Sequence, residues 1–220
     1  MTNLQALPPL LVKPRLRGWL HVGMVPLALA AAIVLFVLAP TDARWAVAVY
    51  GTTAMLLFGV SAVYHRIDWR PRAHAVFKRL DHANIFLIIA GSYTPFAVLL
   101  LQPGPGRILL AVVWCGSLAG VAFRVLWVGA PRWLYVPVYI ALGWVAVFFI
   151  RDFLSTGGPS VVVLIVIGGV FYSLGGLIYA IKRPNPWPRW FGFHEIFHAF
   201  TVAGFLAQYA AVLAAVVALR

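Results

Sequence analysis

Residues 19–39 read WLHVGMVPLALAAAIVLFVLA, a stretch without lysine, arginine, aspartate or glutamate. A helix rises about 1.5 Å per residue, so roughly 20 such residues cross a hydrocarbon core of about 30 Å. An uncharged stretch of this length predicts a transmembrane helix. It sets the fold class because similar stretches recur along the rest of the chain.

Seven apolar stretches are long enough to cross a membrane. They are continuous and rich in Leu, Ala, Val and Ile, whereas a membrane barrel would show alternating segments of about ten residues. The sequence therefore predicts an all-α polytopic membrane protein, a single seven-helix transmembrane domain over residues 19–220 that follows a cytoplasmic N-terminal segment, residues 1–18. The predicted spans are Trp19 to Ala39, Trp45 to Tyr64, Leu80 to Leu101, Ile108 to Trp127, Trp133 to Ile150, Val161 to Ile181 and Trp190 to Leu219.

The overall composition agrees with these spans. Of the 220 residues, 63% are hydrophobic and 10% are charged, whereas a soluble domain is about a quarter charged. A soluble enzyme and a disordered chain are both excluded by this balance. A disulfide scaffold is excluded as well, because Cys115 is the single cysteine.

The net charge of +12 invites a nucleic-acid interpretation, but the positions of the basic residues favour a topology signal. With seven spans, all but four of the 17 lysines and arginines fall on the N-terminal side of the membrane. The four exceptions are Arg44, Arg107, Arg151 and Arg220. By the positive-inside rule we expect a cytoplasmic N-terminus, an outside C-terminus and a multi-pass location in the inner (plasma) membrane, with no nucleic-acid partner.

A few polar residues lie within the predicted spans, where a charged side chain costs at least about 2.5 kcal/mol. Span two ends with Ser61 and His65, span three begins with Asp81, and span seven begins with His194 and His198. In the predicted topology all five lie at one depth in the inner leaflet. They are therefore the candidate site.

The spacing of these residues predicts a zinc site. Residues four apart share a helix face, so His194 and His198 can present two imidazoles to one point, and His65 can supply a third. Three nitrogen ligands with one open position are typical of catalytic zinc, which activates a bound water. Asp81 can hold that water as a hydrogen-bond partner or general base.

Other roles stay open for two of these side chains. Asp81 can instead cap the start of span three, or pair with Lys78 or Arg79. Ser61 can donate to a backbone carbonyl one turn back. His21, His74 and His82 are set aside, because the first two have no partner at a useful spacing and the third points about 100° away from Asp81.

Residues 194–198 also match the H-E-x-x-H pattern of zinc proteases, in which the glutamate is the general base. The pattern leaves an intramembrane metalloprotease open. Apart from Tyr209 and Arg220, the polar residues after His198 are Thr201 and Gln208, so the other ligands must come from earlier spans. Glu195 is then either a second proton carrier or a solvated acid at the level of the lipid headgroups.

Three motifs resemble those of the hemolysin III family, which belongs with the progestin and adipoQ receptors and, more distantly, the alkaline ceramidases. These motifs are Ser61-Ala-Val-Tyr-His65, Leu80-Asp-His-Ala-Asn-Ile85 running into Ala90-Gly-Ser-Tyr-Thr-Pro-Phe96, and Phe193-His-Glu-Ile-Phe-His198. The resemblance extends over all seven spans. It implies a seven-helix bundle with zinc near the cytoplasmic surface, held by His65, His194 and His198, with Asp81 holding the zinc-bound water and Ser61 accompanying the histidine of span two.

The function that follows is zinc-dependent hydrolysis of an amide or ester bond in a membrane lipid, ceramide-like or fatty-acyl, with the zinc-bound water as nucleophile. Ser61 would help to stabilise the developing oxyanion. A membrane sensor or homeostasis protein with structural zinc is the second hypothesis. A cytolytic, pore-forming protein is the third, and the strongly apolar spans offer no charged stripe to line a channel.

Overall fold

The computed structural model describes residues 13–219, and all the regular elements in that part of the chain are helical. Residues 1–12 of the predicted N-terminal segment and Arg220 of the predicted outer face lie outside the described residues. Short 3-10 helices cover Thr41–Ala43 and Val145–Phe149. The α-helices are α1 (Trp19–Leu38), α2 (Arg44–Arg66), α3 (Pro71–Leu100), α4 (Pro103–Leu126), α5 (Arg132–Gly143), α6 (Ile150–Ile181) and α7 (Phe193–Ala218).

Six helical segments of the described chain are long and apolar enough to cross a membrane. Hydrocarbon offers no hydrogen bonds to an exposed backbone, so spanning segments must satisfy their own amides, as helices do. The protein is therefore a polytopic helical membrane protein, which confirms the predicted class. Four of the segments contain α1, α2, α4 and α7 and agree within five residues with the predicted spans.

One of the six segments is too long for a single crossing. Residues 132–181 form a helical stretch of 50 residues, which would measure about 75 Å if straight. The stretch instead folds back on itself, and its two ends meet where the Arg132 guanidinium donates to the carbonyl of Tyr179 over 2.7 Å. The turn lies at Gly158, whose φ of 76° is a left-handed conformation that glycine adopts without strain. Two antiparallel arms result.

Helix α3 lies at the centre of the bundle. It contacts α2, α4, α5, α6 and α7. Of its 18 most apolar consecutive residues 78% are buried, against 22% for the corresponding residues of α1. It begins at Pro71, a favoured first helical residue, rather than at the predicted Leu80. The helix begins before the predicted span because residues 71–79 are helical without being continuously apolar. Asp81 therefore lies inside α3 and is not its N-cap.

Gly91 marks the closest approach of α3 to α2. A Cβ atom at this position would lie 2.0 Å from the Thr53 hydroxyl oxygen, which itself donates to the carbonyl of Tyr50 over 2.9 Å. No side chain fits there without moving one of the two helices.

We expect Gly91→Ala to destabilise the bundle by about 1–3 kcal/mol, the usual cost of over-packing a well-packed core. Thermal unfolding of the purified protein in detergent measures the effect. Gly59→Ala is the matched control in α2, because no atom lies within 4 Å of the added Cβ. Equal stability of the two variants would contradict the close packing of α2 against α3.

Candidate metal centre

Three imidazoles meet where α2 ends and α7 begins. The Nε2 atoms of His65 and His194 are 3.1 Å apart, and the ring centroids of His194 and His198 are 4.5 Å apart. Each residue offers one ligand nitrogen, and these nitrogens all lie within 4.8 Å of one another. The structure thus brings together the three histidines singled out in the sequence, and their arrangement could hold a metal ion.

Local helix geometry places the two histidines of α7. They are four residues apart in the first turns of the helix, so both project from one face. His65 comes from the last turn of α2 and reaches the same point from the opposite side. His65 and His198 are buried at 7% and 2% exposure, so water competes little for their nitrogens.

The histidine cluster fits a zinc ion. A zinc–nitrogen bond of about 2.0–2.1 Å in tetrahedral geometry separates neighbouring ligand nitrogens by roughly 3.3 Å. The separation of 3.1 Å between His65 and His194 is close to that value. Three imidazoles and no thiolate also match the donor set of catalytic zinc, which keeps a fourth position open.

Asp81 and Ser61 lie beside the cluster. The Asp81 carboxylate is 3.9 Å from Nε2 of His65, beyond direct hydrogen-bond range but close enough to share a bridging water. The Ser61 hydroxyl lies next to the same carboxylate. Among the described residues His65 is the basic residue paired with Asp81. Of the predicted alternative partners, Arg79 instead donates to the carbonyls of Val125 and Ala75, and Lys78 lines the vestibule side of Asp81 without forming an ion pair with it.

His82 makes contacts of its own that turn it from the cluster. Its Nδ1 atom lies 2.7 Å from the Lys78 carbonyl and its Nε2 atom 3.2 Å from the Tyr179 hydroxyl. His74 lies against the Tyr64 hydroxyl at 3.3 Å on the exposed side. Neither joins the group of ligand nitrogens, as expected for residues that were set aside.

His21 is the residue that the spacing argument missed. Its ring stacks on that of His198 with centroids 3.8 Å apart and an angle of 8°, and it is 2% exposed. Neither of its ring nitrogens has a hydrogen-bond partner among the described residues. Its contact comes from a different helix, so no spacing within α1 could have revealed it.

Glu195 has a structural position rather than one in the cluster. One carboxylate oxygen accepts a hydrogen bond from the backbone N–H of Gly192 at 2.8 Å, which caps α7. The other oxygen is paired with the Arg17 guanidinium. Glu195 is 1% exposed, so the interpretation as a solvated acid is wrong. Its Arg17 partner precedes α1 and lies outside every predicted span, which is why sequence analysis missed the pair.

Two cavities meet at the cluster. The inner cavity, about 110 Å³, runs through the bundle, and its polar end contains His21, Ser61, Asp81 and His198. Phe96 also lines it and lies 15 residues beyond Asp81 on α3, so the cavity extends about 22 Å along that helix. Its walls away from the cluster are mainly apolar, including Ile85, Ile88, Ile89, Phe96, Phe153 and Ile165.

The second cavity, the vestibule, is an open space of about 860 Å³ at the end of the bundle where α2 ends and α7 begins. His65, His194, Asp81 and Tyr179 line it, and Asp81 and Tyr179 line the inner cavity as well. The vestibule is basic. Its cationic residues are Lys13, Arg17, Lys78, Arg124, Arg132 and Lys182.

Comparison with known proteins gives a consistent family relationship. Residues 10–209 match the family described as haemolysin-III related. Hemolysin-3 of Bacillus cereus is 30% identical over 165 residues, covering 75% of this chain and 72% of that protein. The heptahelical transmembrane protein ADIPOR2 of Oryza sativa subsp. japonica is 29% identical over 185 residues, covering 77% and 81%. The Drosophila melanogaster adiponectin receptor protein is 26% identical over 176 residues, covering 71% and 39%.

His198→Ala and His65→Ala should each abolish stoichiometric zinc binding, because two imidazoles and solvent hold zinc far more weakly than three. Metal analysis of the purified protein measures the effect. His74→Ala is the matched control, since His74 is exposed and lies outside the cluster. One zinc per chain in both cluster variants would show that the ion binds elsewhere.

Glu195→Gln should destabilise the protein by up to about 3 kcal/mol, because it leaves the partly buried Arg17 without its counter-charge. Zinc content should stay unchanged. Thermal unfolding and metal analysis on one preparation test both statements, with Asp152→Asn, an exposed acid in the first turn of α6, as control. Full stability combined with loss of zinc would contradict the capping role.

Proposed function

Because the chain belongs to the haemolysin-III related family of membrane proteins, we propose that it is a zinc-dependent hydrolase of an amide or ester bond in a lipid. One observation carries this proposal. The histidine cluster, with Asp81 beside it, lies where a long apolar cavity opens into a polar vestibule. An amphiphile held across this junction would place the bond between its apolar chain and its polar part at the cluster.

In this proposal His65, His194 and His198 hold the zinc ion through one ring nitrogen each. A bound zinc ion supplies a Lewis acid that polarises a carbonyl oxygen and acidifies water. The three histidines are fixed by two different helices, so their geometry is set before the substrate arrives. The stacked ring of His21 restricts the orientation of His198 further.

Asp81 orients the attacking water and accepts its proton. The water oxygen bonds to the carbonyl carbon, and the Ser61 hydroxyl donates a hydrogen bond to the carbonyl oxygen as negative charge develops there. The bond to the amide nitrogen or ester oxygen then breaks. The proton held by Asp81 passes to the leaving amine or alcohol, which completes the hydrolysis.

The lipid is ceramide-like or fatty-acyl in this proposal. The inner cavity offers an apolar lining over about 22 Å, which suits an alkyl chain and excludes a bulky polar group. Its carboxylate and imidazole side chains, those of Asp81, His21 and His198, lie together at one end. We therefore place the chain in the cavity and the scissile carbonyl at the cluster.

The proposed topology has seven spans, a cytoplasmic N-terminus and an outside C-terminus, in the inner (plasma) membrane. The folding back of residues 132–181 supports two crossings by that segment, since Arg132 and Tyr179 meet at one end. The basic residues of the vestibule support a cytoplasmic location for that end. The rice relative bears the name heptahelical, which agrees with seven crossings.

A membrane protein with purely structural zinc is the second candidate. The cluster ties α2 to α7 and lies against Asp81 of α3, so a bound ion would hold three helices together whether or not any lipid is cleaved. Lysis, which the name of the Bacillus cereus relative suggests for that protein, is the third candidate, and dye release from liposomes at a defined protein density tests it.

The hydrolase proposal predicts that Asp81→Asn abolishes cleavage of a short-chain fluorescent ceramide and leaves the zinc content at one per chain. Asn keeps the side-chain volume but cannot accept the proton. Fatty-acid release in detergent micelles, with and without a chelator, measures the activity. Asp42→Asn, in the short helix before α2, is the control.

A fully active Asp81→Asn variant would remove Asp81 from the reaction. A wild-type protein that loses thermal stability on chelation, but cleaves neither ceramides nor acyl esters, would instead favour the structural role of zinc.

A further inference from the structure

The vestibule contains more positive charge than its acids balance. Lys13 is paired with Asp68 at 3.2 Å, and Arg17 is paired with Glu195. The remaining cations of the vestibule are Lys78, Arg124, Arg132 and Lys182, and within residues 13–219 none of them forms an ion pair with a carboxylate. Asp81 is the acid left to face them.

Arg124 is the least expected of these residues. It is 2% exposed and is the largest fully buried side chain of the described protein. Its two terminal nitrogens donate to the carbonyls of Trp127 and Val128 at 3.2 and 3.3 Å, while its Nε atom has no hydrogen-bond partner among the described residues. The Tyr139 hydroxyl lies beside it as well, but it is neutral like the two carbonyls. A buried cation without a counter-charge is costly, so these neutral partners leave the charge of Arg124 uncompensated.

The positive-inside rule does not account for Arg124. That rule concerns cations in solvated loops and at the headgroup level, which pay no burial cost. Arg124 is instead enclosed in the wall of the vestibule, with its guanidinium carbon 4.2 Å from the centre of the Tyr135 ring. A second guanidinium has a similar arrangement, because that of Arg132 lies 4.1 Å from the centre of the Tyr179 ring.

The two arginines belong to one site. The hydroxyl groups of Tyr135 and Tyr179 are 3.4 Å apart, so the rings beneath the two guanidiniums are linked to each other. The Tyr179 ring is also 5.7 Å from the His194 ring of the cluster. One aromatic side chain therefore separates Arg132 from a candidate zinc ligand.

We propose that the vestibule binds a phosphate-class oxyanion through Arg124 and Arg132, with Lys78 and Lys182 at its edge. A guanidinium group can donate two hydrogen bonds to two oxygens of one phosphate, and it remains charged when buried. Two such groups therefore favour a phosphate over a neutral ligand. Resting on the proposed function, this makes a ceramide-like or fatty-acyl lipid that carries a phosphate group the preferred substrate. The phosphate would occupy the vestibule, the chain the inner cavity, and the scissile bond the cluster between them.

Binding to the full-length protein in neutral detergent tests the proposal. The probes are octanoylglycerol 3-phosphate, the uncharged octanoylglycerol and inorganic phosphate, titrated by calorimetry at about 0.1 M ionic strength, where distant charges are screened. We expect the phosphate-bearing amphiphile to bind the wild type about tenfold or more tightly than its neutral analogue, the scale of a charged hydrogen bond. Arg124→Gln should remove that preference.

Arg72→Gln is the matched control, because Arg72 is an exposed cation at the start of α3 outside the vestibule. It should keep the preference. Arg132→Gln is the second test and should weaken the preference even if Arg124→Gln fails to fold. Arg124→Lys, which keeps the charge but not the paired geometry, should retain part of it.

The probes distinguish the source of the oxyanion. Tight binding of the lipid phosphate with weak binding of inorganic phosphate supports a lipid headgroup, and equal binding of both supports a free anion in the same site. Equal affinity of the wild type for the charged and neutral amphiphiles would overturn the proposal. So would an Arg124→Gln variant that loses thermal stability but keeps the preference, since Arg124 would then act only on the carbonyls of Trp127 and Val128.

The same probes separate this inference from the hydrolase proposal. A preference for phosphate that depends on Arg124, in a protein that cleaves no lipid, would uphold the binding site and reject hydrolysis. Zinc-dependent cleavage of neutral lipids without any charge preference would do the reverse.

Discussion

The meeting of His65 with His194 and His198 is the interaction on which the candidate site depends. Two helices from opposite ends of the sequence, α2 and α7, bring three imidazoles within 4.8 Å of one another at one end of the bundle. Arg17 and Glu195 hold the start of α7 in place, since Glu195 caps that helix and its second oxygen is bound by the segment before α1. The Arg17–Glu195 ion pair thus lies one residue away from the candidate ligand His194 and stabilises the start of the helix that carries it.

The same end of the bundle separates two environments. The inner cavity is lined mainly by apolar side chains, whereas the vestibule is lined by basic ones, and Asp81 and Tyr179 border both. The arrangement suits an amphiphile whose two parts differ in polarity. This contrast, more than any single motif, is the basis of the proposal that the substrate is a lipid.

Much of the fold could be predicted from apolar length alone, because a hydrocarbon environment leaves the helix as the structure for an uninterrupted apolar stretch. The helix boundaries differ from the predicted spans at the places where the length of the apolar stretch does not determine them. The first turns of α3, from Pro71 onwards, are polar and continue a helix that extends beyond the apolar run. Residues 132–181 form one nearly continuous helical stretch in which Gly158 makes the turn, and a hydropathy pattern does not show that conformation.

The part of the candidate site that could be predicted is the part that spacing along one helix, or depth in the membrane, reveals. His194 and His198 share a face by their separation in sequence, and His65 and Asp81 follow from depth in the membrane. His21, Arg17 and Arg124 were missed because their contacts join distant helices and loops, which no periodicity within a span reveals. A signal was present for His21, a titratable residue inside an apolar span.

X-ray absorption at the zinc edge of the purified full-length protein tests the metal centre most directly. The account predicts one zinc per chain with about three imidazole nitrogens at about 2.0–2.1 Å and a single further light-atom ligand. A zinc–sulfur distance of about 2.3 Å, which would implicate Cys115, or the spectrum of a hydrated ion without imidazole scattering, would contradict it.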